Sequence, residues 1–220
     1  MRLKHFWMAV GLLGACFNAA AAIAAAATIP DDPRRVNPVT VGSKAPEFTA
    51  REVDGRAFRF DTNSLRQPAL LIFYRGGWCP YCNMHLHDLR RFVPQIVALG
   101  YQVIFLSTDQ PQLLYSSLKE KVDYHIVSDS SMSAAHAFRI AFRVDDATVE
   151  KMKSFGVDLE AAQGNTRHEL PVPAVFIVDR GGVIRFRHYD ADYRVRLDPA
   201  AVLAAARAAL PSSKPGRQYK

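Results

Sequence analysis

The sequence predicts an α/β domain with a mixed central sheet, helices on both faces and an N-terminal β-hairpin. Short continuous apolar runs such as Leu70-Leu71-Ile72-Phe73-Tyr74 read as strands buried on both faces of a sheet. These runs alternate with segments whose apolar residues recur at helical spacing, as crossover helices do. The final strand pair turns back on itself around Asp179-Arg180-Gly181-Gly182, which makes the sheet mixed.

Along the chain, Phe48 to Val53 and Ala57 to Phe60 form the first hairpin, turning at Asp54-Gly55, a pair suited to a tight turn. The strand ending at Tyr74 leads to a helix from Pro80, with Leu86, Leu89, Phe92, Val93, Ile96 and Val97 on its apolar face. Tyr101 to Ser107 is a second strand, Pro111 to Lys121 a helix and Tyr124 to Val127 a short strand. Ser131 to Ala141 and Asp145 to Phe155 read as helices, whereas Asp158 to Glu169 has little periodicity and reads as a loop close to the functional site. Ala174 to Val178 and Val183 to His188 form the last hairpin, and a helix from Pro199 to Leu210 has Asp198 as its N-cap.

Residues 1–27 carry Arg2 and Lys4, an apolar stretch from Phe6 to Phe17 and an alanine-rich run ending at Ala27, with no acidic residue; this is the pattern of a secretory signal. Several A-x-A matches leave its cut site open, and an uncleaved anchor is the rival reading, since the apolar run is almost long enough to span a bilayer. Leu13-Gly14-Ala15-Cys16 also resembles a bacterial lipobox, which would make Cys16 a lipidation site and the N-terminus a membrane tether. Each version places the folded part outside the cytosol, periplasmic or tethered to a membrane and facing the periplasm. Residues 28–40 hold several prolines and read as a linker, residues 41–210 as one domain and residues 211–220 as a flexible tail.

Loss of residues 1–27 leaves 193 of the 220 residues, and the net charge falls from +7 to +5 as Arg2 and Lys4 go. That is the length of one ordinary domain with a sizeable core. The basic residues are dispersed and lack interleaved aromatics, which argues against nucleic acid as a partner.

The feature richest in chemistry is FYRGGWCPYC, from Phe73 to Cys82, in which a buried strand runs into a C-x-x-C pair at a helix start. Unpaired backbone N–H groups and the positive end of the helix dipole stabilise a thiolate there, lowering a cysteine pKa from about 8.5 toward roughly 3.5–7.5. With two residues between them, Cys79 and Cys82 can close a local disulfide, one attacking and the other resolving. A structural zinc site would need a second ligand pair, and the remaining cysteine is Cys16 in the leader. His85 and His87 lie two apart on the helix and do not share a face, so no metal or other cofactor is assigned. A purely structural disulfide closes too short a loop to stabilise much.

Taken together, Val41-Gly42, Ala45-Pro46-Glu47-Phe48, Phe73 to Cys82, VIFLSTD from Val103 to Asp109 and PVPAVFIVDRGGVIRF from Pro171 to Phe186 resemble the peroxiredoxin-like alkyl hydroperoxide reductase and thiol-specific antioxidant family of the thioredoxin superfamily. The resemblance covers roughly residues 41 to 205 and implies a thioredoxin-like fold. It lays Cys82 on the family's peroxide-attacking cysteine, with Cys79 where the family has Thr or Ser, and Arg75 where it has proline. The arginine that family members place before the late strand falls at Pro173. Thioredoxins have a cis-proline there, so the resemblance implies a cis Val172–Pro173 bond facing the cysteines and leaving a backbone edge free for a partner chain.

Three functions follow. A thiolate attacks hydrogen peroxide or an organic hydroperoxide, and the disulfide formed is reduced by a thioredoxin-like protein. Alternatively, Cys79 exchanges with a protein disulfide and Cys82 resolves it. In a third version the pair is a redox-regulated binding module. Family position makes Cys82 the attacker, and thioredoxin logic makes it Cys79. Arg75 is positioned to stabilise a thiolate, and Trp78 to wall the site; an ion pair for Arg75 and plain packing for Trp78 are the competing assignments.

Overall fold

The structure, a computed structural model, describes residues 28–115 and 123–210. The proposed signal segment with Cys16, the tail from Pro211 and the end of the helix expected from Pro111 to Lys121 lie outside the described residues. Its first turns, Pro111–Tyr115, are helical (α3).

The strands are β1 (Phe48–Glu52), β2 (Ala57–Phe60), β3 (Ala69–Tyr74), β4 (Gln102–Ser107), β5 (His125–Ser128), β6 (Ala141–Arg143), β7 (Glu169–Pro171), β8 (Ala174–Val178) and β9 (Ile184–Tyr189). Seven of them form one sheet in the order β2-β1-β5-β4-β3-β8-β9, and β6 and β7 pair separately. β3 pairs parallel with β4 and antiparallel with β8, so the sheet is mixed as the sequence implies. All six residues of β3 are buried, which explains why the run is apolar on both faces.

Successive side chains on a strand point to opposite faces, and this sorts the core into two layers. Leu71 and Phe73 join Ile104, Leu106, Phe138 and Phe176 on one side. Leu70, Ile72 and Tyr74 join Phe105, Val175, Cys79 and Cys82 on the other. Helices α1 (Pro80–Arg90), α2 (Val93–Ala98) and α7 (Pro199–Ala208) cover the cysteine side. The short α4 (Ser133–Ala137) covers the opposite side, and α5 (Asp146–Ser154), within the helix expected from Asp145 to Phe155, buries Val149 in a third cluster with Val144, Leu159 and Leu170. Asp198 caps α7 by accepting from Ala200 N–H at 2.7 Å, as expected from the sequence.

Three local expectations are corrected. The helix from Pro80 does not run through to Val97: it stops at Arg90, and α2 restarts with Pro94 in its first turn. Proline has no N–H for the carbonyl four residues back, and its ring clashes with that turn. Ser131 to Ala141 is helical over Ser133–Ala137 alone, because Arg139 takes a left-handed conformation (φ 57°) and the chain then enters β6. The aperiodic stretch from Asp158 holds a helix, α6 (Leu159–Gln163), capped by Asp158, and ends in β7. A one-and-a-half-turn helix is too short for its period to register in sequence.

Residues 28–40 are largely extended and held against the domain. Arg187 donates to the carbonyls of Pro38 and Val39 at 2.6 and 2.9 Å, and Arg143 N–H donates to Pro30.

Candidate active site

β3 ends at Tyr74, and Arg75 to Trp78 turn the chain into α1. Cys79 is the N-cap residue of α1, in extended backbone (φ −90°, ψ 109°), and Pro80 follows in the first turn, where its missing N–H costs nothing. The Cys79 sulfur therefore sits at the helix end whose backbone N–H groups lack intrahelical partners. One turn on, Cys82 faces back toward it, and the two Sγ atoms are 2.7 Å apart. Both cysteines are free thiols, and each is only 1 % exposed.

The pair is electrostatically asymmetric. The hydrogen bond from the Cys82 thiol, aided by the Arg75 and Arg196 charges and opposed by burial, holds Cys79 down to about 6. The same bond, together with burial and the charge on Cys79, pushes the Cys82 thiol up. At neutral pH the pair is a Cys79 thiolate hydrogen-bonded by a Cys82 thiol.

The turn before α1 is fixed from β4. Thr108 Oγ1 donates to the Arg75 carbonyl at 2.6 Å, and Gly77 N–H donates to Asp109 Oδ2 at 2.6 Å. Asp109 also accepts from the Ser107 hydroxyl, and burial raises its pKa. Trp78 Nε1 faces this carboxylate without completing a geometric hydrogen bond, and its ring packs against Val144, Val149, Leu159 and Leu170. The region from Asp158 thus reaches the site through Trp78.

The roof comes from the segment joining β9 to α7. Tyr193 lies with its ring centroid 4.1 Å from the Arg75 guanidinium, which is also 5.0 Å from the Trp78 ring, and it meets Tyr81 edge-on at 5.8 Å. Arg196 Nη2 donates to Cys82 Sγ at 3.4 Å. The Leu197 carbonyl accepts from His85 Nε2–H at 3.0 Å, and burial lowers the His85 pKa to about 4, so this imidazole is neutral.

Of the residues singled out from sequence, Cys79, Cys82, Arg75 and Trp78 come together. Pro173 faces the same region across a small cavity that Tyr74, His85, His188 and Arg196 also line. Val172 is buried, and the expected cis bond before Pro173 is absent: every peptide bond among the described residues is trans. Val172 N–H donates to Ile140, and the Pro173 carbonyl accepts from Asp190. The chain therefore runs extended from β7 into β8, where the intrinsically preferred trans form fits, and the edge expected to stay free is taken by the continuation of β9.

Sequence reasoning missed Asp109, His85, Tyr193 and Arg196. Asp109 had a usable signal, as a carboxylate at the C-terminal end of a buried parallel strand. Tyr193 and Arg196 lie in an aperiodic loop more than a hundred residues downstream, with no local sign of where they fold.

The AhpC/TSA family profile matches residues 41–187, which span the redox strand, both cysteines and the late hairpin. The chain belongs to the AhpC/TSA family. Among curated relatives, peroxiredoxin Bcp of Escherichia coli K12 is 27 % identical over 106 residues, covering 48 % of this chain and 67 % of the relative. The thiol:disulfide interchange protein DsbE of Vibrio cholerae is 23 % identical over 161 residues, covering 72 % of this chain and 70 % of the relative. The crystal structure of peroxidoxin BcpB from Mycobacterium tuberculosis superposes with a TM-score of 0.57 at 16 % identity, over 77 % of this chain and 97 % of that one. This AhpC/TSA protein is a peroxiredoxin-like thiol oxidoreductase with a thioredoxin-like fold.

Proposed function

We propose that the protein is an exported thiol peroxidase in which Cys79 attacks and Cys82 resolves. The Cys79 thiolate displaces RO⁻ (or hydroxide) from a hydroperoxide and becomes a sulfenic acid. The Cys82 sulfur then attacks Cys79, water leaves, and the Cys79–Cys82 disulfide forms. A thioredoxin-like dithiol reduces that disulfide and is itself oxidised.

The observation that carries this reading is a thiolate at the α1 N-cap in a site where both cysteines are 1 % exposed. A small hydroperoxide needs far less room to reach Cys79 than a folded protein's disulfide does. The low pKa of Cys79 and the raised pKa of Cys82 favour Cys79 as attacker over the assignment by family position. The exposed side chains of Tyr81, Met84, Tyr193 and Val195 offer an apolar surface for the protein reductant.

Similarity to DsbE favours a second reading, in which Cys79 exchanges with a protein disulfide and peroxide plays no part. The full chain, supplied with dithiothreitol or thioredoxin, is expected to consume hydrogen peroxide or cumene hydroperoxide in proportion to enzyme. Peroxide left untouched while insulin disulfides are reduced makes the second reading the correct one. Export rests on the charge and apolar pattern of residues 1–27; cell fractionation and mass spectrometry of the mature N-terminus test cleavage and lipidation at Cys16.

A further inference from the structure

Arg196 lies between β9 and α7 and reaches back to the cysteine pair. Its Nη2 is 3.4 Å from Cys82 Sγ, and its Nη1 donates to the carbonyl of the neighbouring Val195 at 3.0 Å. Among the described residues Arg196 has no carboxylate hydrogen-bond partner: Asp198, two residues on, accepts from Ala200 N–H at the start of α7, and Asp192, four residues back, is engaged by Arg194 through two side-chain hydrogen bonds of 2.7 and 2.8 Å. Its position is fixed from both sides, by the His85–Leu197 bond next to it and by Tyr193 packed on Arg75 and Tyr81. A guanidinium with no carboxylate hydrogen-bonded to it is thus held against a sulfur that must become a nucleophile.

We propose that Arg196 drives the closing step of the cycle, stabilising the negative charge that the Cys82 sulfur acquires on losing its proton and that makes it able to attack Cys79. This rests on the reading of Cys79 as attacker and Cys82 as resolving thiol, and it applies whether the oxidant is a hydroperoxide or a disulfide. Once Cys79 carries a hydroxyl or a partner sulfur, its negative charge is gone and Cys82 no longer donates to a thiolate. Cys82 then gives up its proton to solvent or to the leaving group. Its sulfur bonds to Cys79 sulfur, and hydroxide, leaving as water, or the partner thiolate departs with the electron pair.

The other titratable or charged groups around Cys82 cannot replace Arg196. Tyr74 is neutral because burial raises its pKa, and His85 is neutral because burial lowers its own. Arg75 presents its backbone N–H to Cys82, while its guanidinium stacks between Trp78 and Tyr193.

The test measures Cys82 directly and uses no peroxide, so it is independent of whether the protein is a peroxidase. In full-length Cys79→Ser protein, the rate of Cys82 alkylation by iodoacetamide is followed against pH, with Arg196 intact or changed to Met, Gln or Lys. The expected result is a midpoint higher by about one unit or more in Arg196→Met and Arg196→Gln, with partial return in Arg196→Lys. A merely structural role changes the plateau rate through access and leaves the midpoint in place. An unchanged midpoint in whichever of the two neutral variants folds overturns the proposal. In the two-cysteine chain given one equivalent of oxidant, Arg196→Met is expected to accumulate oxidised Cys79 and to close the disulfide at least tenfold more slowly; closure at the wild-type rate also overturns it.

Discussion

The His85 imidazole in the middle of α1 donates to the carbonyl of Leu197 at 3.0 Å, tying the segment after β9 to the helix that starts at the cysteines. That segment carries both Tyr193 and Arg196, so this hydrogen bond between distant parts of the chain acts with the Tyr193–Arg75, Tyr193–Tyr81 and Arg196–Cys82 contacts to hold the roof of the site. His85→Ala leaves the Leu197 carbonyl without this donor, and the expected cost is about 0.5–1.5 kcal/mol in chemical denaturation. The charge state adds a pH dependence. The folded-state pKa of about 4 lies below the reference value of 6.5, so the stability linked to neutral His85 is present above pH 6.5 and is lost as pH falls toward 4. Denaturation midpoints at pH 7 and pH 5 are expected to differ less in His85→Ala than in the native chain.

Exchanging the two cysteines separates their roles. With Cys79 as attacker, Cys82→Ser is expected to accumulate sulfenic acid after a peroxide pulse, trapped by dimedone and seen by mass spectrometry, while Cys79→Ser stays unlabelled. Both variants lose steady-state turnover by at least two orders of magnitude, since an attacker without a resolver is stranded and a resolver without an attacker is not engaged. Labelling of Cys79→Ser alone would return the attacking role to Cys82.

The acidity of Cys79 predicts a pH profile. With its pKa held down to about 6, the thiolate predominates above that pH, and its reaction rate falls about tenfold per unit below it. Iodoacetamide labelling of Cys79 in the reduced chain is expected to be half-maximal near pH 6. In Cys82→Ala the donated S–H bond is lost with nothing in its place, and the midpoint moves up toward the ordinary cysteine value of about 8.5.

The parts of the molecule legible in sequence are those whose signal is local. The run Leu70 to Tyr74 is apolar because β3 is buried on both faces, and the spacing of Cys79, Pro80 and Cys82 encodes an N-cap and a first turn directly. Arg75 and Trp78 were accessible for the same reason, lying within four residues of the first thiol. Pro94 carried the signal for the α1–α2 break, but the apolar spacing from Leu86 to Val97 outweighed it because both helices keep the same face on the sheet. The conformation at Pro173 was assigned by likeness to thioredoxins rather than from the residues, and the extended route from β7 to β8 decides it differently. Tyr193 and Arg196 reach the thiols through tertiary folding of an irregular segment, which no periodicity encodes.

Gly76 shows how tightly the turn before α1 is built. Its φ is +154°, and a Cβ there would come within 2.7 Å of Asp109 Oδ1 and also collide with the Trp78 indole. Alanine at this position must displace both groups that shape the turn. Gly76→Ala is expected to lower stability by about 1–3 kcal/mol. Because Gly77 N–H to Asp109 is in the same turn, the variant also loosens the cysteines. Thermal unfolding checks the first effect, and a rise in the Cys79 labelling midpoint checks the second.

Tyr193 supplies the most direct check on what size of substrate the site admits. Its ring covers the Arg75 guanidinium at 4.1 Å and braces Tyr81, yet it is itself 39 % exposed, so it can be removed without opening the core. The aromatic and cation–π contacts are each worth on the order of 1 kcal/mol, and Tyr193→Ala is expected to fold with a loss of about 1–2 kcal/mol. If the roof excludes large oxidants, its loss raises the rate of Cys79 with a bulky reagent such as a maleimide-labelled polymer or insulin by tenfold or more. The rate with hydrogen peroxide, a far smaller reagent, is expected to change by less than threefold. Parallel increases for large and small reagents would mean that Tyr193 governs the reactivity of the thiolate rather than access to it, and the difference between the two ratios separates these outcomes in a single set of stopped-flow measurements.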